Sequence, residues 1–309
     1  SKITNLMNRV GNSPFLAISV GIILTTILQS SGAVTSMLVG LGRAKVIKLL
    51  QVMGIIIGTA IGSTFTVQLI SFDLSVYALP IFVLGFSVYF FAKKPTIKSI
   101  ASVLMGFALI FVGLKMISTS AHYFAGHAFL VNTIRTLQEN PIYSFLGAVL
   151  FCAFVQSSAI TIGLAMSLAT AKVISVEDAV LWVYGANIGT TSVALIAAAG
   201  SNYIGKQVAW AHFFYKTISV IVFYPLTQWF LELLQVVNST PNRLIANTHF
   251  FFNLGSALLF YPFIKKGAQL IEKLIPKNTA DEFGTEFLRM DTYQNSSLAI
   301  SYAQREIMR

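Results

Sequence analysis

The chain has 309 residues, of which 55% are hydrophobic, 13% aromatic and only 10% charged, and its mean hydropathy is +0.74. That is too apolar for a soluble domain of this length and places the chain in a bilayer. The net charge of +10 does not point to nucleic acid, because the basic residues fall in short loops between apolar runs, and the single Cys152 excludes an intramolecular disulfide and offers no metal-ligand spacing.

Residues 1–12 are polar and lack the order of a cleaved secretory signal, so insertion is expected to rest on the spans themselves. The apolar run 13–41 is longer than the ~20 residues one crossing needs, and Gln29, Ser30 and Ser31 fall near its middle. Two half-helices meeting at that polar tip, as a re-entrant hairpin, account for both the length and the interruption. After Arg43, Lys45 and Lys48, a span over 49–72 is expected to break at Gly54, Gly58 and the Gly62-Ser63-Thr64 turn. Spans over 75–92 and 97–117 complete a first repeat, 1–117. Residues 118–143, with Arg135, Glu139 and Pro141, read as a linker.

The plan then recurs over 144–266. A shift of 127 residues lays Gln29-Ser30-Ser31 on Gln156-Ser157-Ser158 and Ala44-Lys45-Val46-Ile47 on Ala171-Lys172-Val173-Ile174. It also lays the run 58–64, GTAIGST, on 185–191, GANIGTT. The second repeat therefore has a hairpin over 144–168, a broken span over 173–199, and spans over 208–230 and 244–264. The last two echo each other around His212 and His249, which read as interhelical or interfacial residues and are not placed in the site. Residues 267–309 form a polar tail whose end, LAISYAQREIMR, is amphipathic.

If each hairpin enters and leaves on one face, three crossings separate the copies, and an odd number makes them inverted. That topology gathers Arg43, Lys45, Lys48, Lys93, Lys94, Lys98, Lys206, Lys265 and Lys266 on one side. Asp73, Glu139, Glu177, Asp178 and Glu232 fall on the other. The basic side, with the tail, is expected to be cytoplasmic. The fold class is thus an all-α membrane protein, an inverted-repeat transporter with two re-entrant hairpins and broken transmembrane helices.

At each tip one half-helix ends in free carbonyls, suited to a hard cation, and the next begins with free N–H groups, suited to an anion. Gln29, Ser30, Ser31, Gln156, Ser157 and Ser158 add donors and acceptors at the same depth, so two facing tips would make one midplane oxyanion site. With acidic and arginine side chains absent from the spans, the oxyanion needs cations to neutralise it. Oxygen ligands from Gln29, Gln156, Ser63, Thr64, Asn187, Thr190 and Thr191 suit sodium, and joint binding of anion and sodium is cotransport by linkage. No cofactor beyond the coupling ions is implied.

The paired QSS segments, the GANIGTT run and the His-Phe-Phe repeats resemble the type II sodium/phosphate cotransporter family over nearly all of 12–266. The resemblance implies sodium-coupled movement of inorganic phosphate at the two QSS hairpins, and a tail that in bacterial relatives continues into a PhoU-like helical domain. Gly32 and Ala159 stand where the family usually has a third serine or threonine, and Ala60 and Lys216 where it has asparagine.

The expected partners are inorganic phosphate, sodium and the bilayer, with no oligomeric state fixed. The same architecture would serve transport of another anion or phosphate export. A channel would show flux that does not saturate. A serine hydrolase is not expected, since no G-x-S-x-G turn is present.

Overall fold

A computed structural model describes residues 13–72, 74–124, 132, 136, 139–237, 240–277 and 296–307, and no strand occurs among them. The first four helices among the described residues are α1 Pro14–Leu28, α2 Ser31–Arg43, α3 Leu49–Gly62 and α4 Thr64–Ile70. A 3-10 turn at Ser75–Tyr77 leads into α5 Ala78–Phe91, followed by α6 Pro95–Phe124. Then come α7 Pro141–Val155, α8 Ser158–Thr170, α9 Val176–Gly189 and α10 Ser192–Ala198. The duplication is visible in the lengths, which run 15, 13, 14 and 7 residues in both sets of four.

A second echo closes the bundle. Helix α11 Tyr203–Phe223 passes through a 3-10 turn at Tyr224–Leu226 into α12 Thr227–Val237. Helix α13 Pro241–Phe260 passes through Tyr261–Phe263 into α14 Ile264–Leu274. Both turns carry a proline, which removes a helical hydrogen bond and bends the rod. A last helix, α15, spans Ser296–Ile307.

Among the described residues four stretches are long and apolar enough to cross a membrane: Leu49–Ile70, Pro95–Ser120, Val176–Ala198 and Tyr203–Val236. The protein is an all-α integral membrane protein. Helices α3 and α9 are its central rods, buried almost all round, whereas α5 and α6 turn Phe86, Phe90, Phe91 and Val103 outward, as lipid-facing helices do.

The first central rod is not broken at Gly54 or Gly58, and its interruption falls at the Gly62-Ser63-Thr64 turn. Helix α3 runs through Gly54 and Gly58, and its only interruption, Ser63, keeps right-handed angles of φ −66° and ψ −18°. The Ser63 N–H still reaches the Thr59 carbonyl at 3.0 Å, so the chain kinks without unwinding. The cause is hydroxyl back-bonding, Ser63 Oγ to Ala60 O at 2.8 Å and Thr64 Oγ1 to Ile61 O at 2.7 Å, which bends helices. Thr191 Oγ1 to Ile188 O, 2.7 Å, does the same in the second copy.

The glycines serve close packing instead. A Cβ at Gly58 would lie 2.1 Å from the Ile18 carbonyl oxygen, and one at Gly189 2.5 Å from that of Val149. Helix α1 therefore rests backbone to backbone on α3, and α7 on α9. The second arms also reach across: α2 packs on α10 and α11 of the second repeat, and α8, besides α9 and α13 of its own repeat, on α4 and α6 of the first.

The repeated Ala-Lys-Val-Ile segment is a helix cap. Lys45 and Lys172 take left-handed angles, φ 55° and 58°. The N–H of Val46 reaches Leu41 O at 3.1 Å and that of Val173 reaches Leu168 O at 2.9 Å, closing the last turns of α2 and α8.

Helix α14 buries Ile264, Ala268 and Ile271, spaced to share one face, in the core shared with α3 and α11. Gln207 Nε2 holds the Ile275 carbonyl at 2.7 Å. Of the expected linker, 125–131, 133–135, 137 and 138 lie outside the described residues, as do 1–12 and 278–295.

Candidate functional site

Both Gln-Ser-Ser segments are built identically. Gln29 and Gln156 close α1 and α7 in the left-handed region, with φ 55°, ψ 22° and φ 58°, ψ 25°. A non-glycine residue pays about 1–2 kcal/mol for that conformation, and the same residue accepts it at both tips. Ser30 and Ser157 then cap α2 and α8, their Oγ atoms accepting from Ala33 N at 3.1 Å and Ile160 N at 3.3 Å. The preceding N–H groups of each first turn have no intrahelical partner. Ser31 and Ser158 are buried.

The two tips meet. One cavity of about 150 Å³ is lined by Gln29, Ser30, Ser31, Gln156, Ser157 and Ser158, together with Ser63, Thr66, Ala159 and Thr190. A water needs ~10–15 Å³ by this measure, and drug-sized ligands ~300 Å³ or more. The space suits a small oxyanion with ions or waters beside it. A larger cavity of about 410 Å³ near Phe111 and Lys115 contains none of the repeated residues.

The chemistry of the lining is electrically neutral but strongly oriented. Two helix N-termini converge on the cavity with their positive dipole ends. The Ser63 hydroxyl spends its proton on Ala60 O, so its lone pairs remain as acceptors. Gln29 is held at both ends, with Nε2 donating to Thr26 O at 2.5 Å and Oε1 accepting from Thr66.

Not every residue expected at the site reaches the cavity. Thr64, Thr191 and Asn187 are buried in the kinks and rods beside it, outside its lining. A Cβ at Gly32 would come within 3.1 Å of Val193 Cβ, so a hydroxyl side chain there has little room.

Two neighbours escaped the sequence reading as site residues. Thr66 has Val193 as its duplicated counterpart, so comparing the copies gives no signal for it. Lys216 did carry a signal, as a lone charge inside a span. It is 1% exposed, and its Nζ donates to Asn187 Oδ1 at 2.6 Å and Asn253 Oδ1 at 2.8 Å. His212 and His249 are fully buried one turn before Lys216 and Asn253. The spans are therefore not free of charge.

The chain is 27% identical over 247 residues to "Uncharacterized protein YqeW" of Bacillus subtilis, covering 80% of each chain. It is 23% and 22% identical over 313 aligned positions to proteins of Salmonella typhimurium and Escherichia coli K12. Both bear the name "Putative inorganic phosphate export protein YjbB", and the match takes in all of this chain but 57% of theirs. No solved structure matches. The family model described as Na+/Pi-cotransporter matches residues 1–119 and again 115–230, and the chain belongs to that family.

Proposed function

We propose that the chain is a sodium-coupled secondary transporter of inorganic phosphate, working by symport into the cell, with the anion held between the two Gln-Ser-Ser tips. The observation that carries this reading is that both segments line one small cavity although 127 residues separate them. The N–H groups opening α2 and α8 and the hydroxyls of Ser30, Ser31, Ser157 and Ser158 would hold phosphate oxygens. Sodium would take the oxygen ligands of Gln29, Gln156, Ser63, Thr64, Thr190 and Thr191, since hard cations select such donors, whereas the Asn187 oxygen is occupied by Lys216. Each ion then raises the affinity of the other, and transport of one carries the other.

The arms of each tip, 15 and 13 residues, reach only ~20–22 Å at 1.5 Å per residue, short of the ~30 Å hydrocarbon core. That supports re-entrant hairpins, and the loop charge supports inverted repeats with the tail in the bacterial cytoplasm.

The test is uptake of labelled phosphate into proteoliposomes under an inward sodium gradient. Gln156→Ala and Ser157→Ala are expected to abolish it, and undiminished uptake in both would remove the site. Export is the second reading, favoured by the name of the relatives that match the full chain. Cells expressing the protein should gain phosphate under the first reading and lose it under the second. Competition by sulfate and arsenate reports whether another anion is the cargo.

A further inference from the structure

Three rods converge on one amine beside the cavity. The Lys216 amine on α11 meets the amide oxygens of Asn187 on α9 and Asn253 on α13 at 2.6 and 2.8 Å. The far end of each amide fixes its orientation. Asn187 Nδ2 donates to Val183 O at 2.8 Å and Asn253 Nδ2 to His249 O at 2.8 Å, so both oxygens must face Lys216. Two neutral oxygens aimed at one buried point are the donors a hard cation takes.

The chain itself shows what the amine replaces. His212 and His249, and Pro225 and Pro262, are each 37 residues apart, and the same shift lays Lys216 on Asn253. Where α13 contributes an oxygen ligand, α11 contributes a positive charge.

Among the described residues no carboxylate is bonded to that amine, whose partners are the two amide oxygens. The Tyr215 ring lies 5.9 Å from Nζ, His212 precedes Lys216 by one turn on α11, and His249 precedes Asn253 by one turn on α13. The nitrogens of His212 and His249 have no hydrogen-bond partner among the described residues. A buried charge without a counter-ion is costly, and an anion nearby relieves the cost. Thr190 of the cavity lining follows Asn187 by three residues on the same rod, ~4.5 Å along its axis.

We infer that Lys216 is a tethered cation occupying a position a coupling sodium would otherwise take, its ammonium helping to neutralise the oxyanion in the cavity. The inference rests on the oxyanion-and-sodium reading above, and it implies one fewer sodium moved per anion than the same cage would bind without the lysine.

The experiment counts labelled sodium bound per chain by the purified protein, for the wild type, Lys216→Asn and Lys216→Ala. Both variants open room at the two amide oxygens, and Lys216→Asn restores a third. The expected result is one additional sodium per chain in Lys216→Asn and a weaker additional site in Lys216→Ala. A wild-type count in a variant that elutes and melts as a folded protein overturns the inference. So does absence of sodium binding from every form. Should neither variant fold, Lys216→Met keeps the length without the charge. It is expected to lose labelled phosphate binding at least tenfold without gaining sodium, and retained affinity overturns the inference. Wild-type sodium-driven phosphate uptake is measured separately. Its failure alongside a gained sodium site would remove the transport reading while leaving the lysine assigned.

Discussion

The Thr66 hydroxyl donates to Oε1 of Gln29, whereas Gln156 has no such partner, because the residue equivalent to Thr66 is Val193. Two tips with the same backbone thus hold their glutamines differently. Gln29 is pinned, and the side chain of Gln156 has no hydrogen-bond partner among the described residues.

Thr66→Val removes that pin and leaves the fold intact. A net hydrogen bond is worth about 0.5–1.5 kcal/mol, so labelled phosphate binding should weaken by roughly 2–10-fold. Equal affinity in the variant and the wild type would take Thr66 out of the site.

Ser157 caps α8 and lines the cavity, and one substitution separates the two roles. Aspartate caps as well as serine does, but it brings a negative charge to an anion site. Ser157→Asp is therefore expected to melt within a degree or two of wild type while phosphate binding disappears. Ser157→Ala should lose ~1 kcal/mol of stability through the cap. Phosphate binding by the aspartate variant at wild-type affinity would contradict an oxyanion at this tip.

The glycines divide by what surrounds them. At Gly58 a Cβ would meet the Ile18 carbonyl at 2.1 Å, while at Gly40 nothing lies within 4 Å. Gly58→Ala should cost roughly 1–3 kcal/mol, the usual cost of overpacking, and lower the melting temperature in detergent. Gly40→Ala should be neutral or stabilising by up to ~1 kcal/mol. Equal melting of the two variants would refute the close contact between α1 and α3.

Lys45 and Lys172 sit in the left-handed region, where glycine is at ease and lysine is not. Lys45→Gly and Lys172→Gly are each expected to raise stability by up to ~1–2 kcal/mol with transport unchanged, as read by thermal unfolding and phosphate uptake. Lower stability in both would show that these side chains do more than terminate helices.

Much of this was legible before any coordinates. Composition and the long uncharged runs require the bilayer, because so apolar a chain cannot remain soluble. The duplication of Gln-Ser-Ser and of Ala-Lys-Val-Ile marks two equivalent tips and two equivalent caps, since hydrogen-bonding residues inside apolar runs are costly unless they have work to do. Local sequence went wrong at Gly54 and Gly58, where glycine was read as a break. Glycine permits a bend, but it equally permits a close neighbour, and only the partner helix decides which.

What the sequence determined by itself was local and periodic: a helical membrane chain, its repeat, and the residues at each tip. Tertiary structure decided which distant residues share a space. Contacts of α2 with α10 and α11, and of α8 with α4 and α6, bring tips 127 positions apart to one cavity. The packing also meant that Thr66, rather than its counterpart Val193, would touch a glutamine, and that Lys216 would end against two asparagines. Such pairings depend on packing angles and side-chain reach summed over several helices, and no single stretch of chain encodes them.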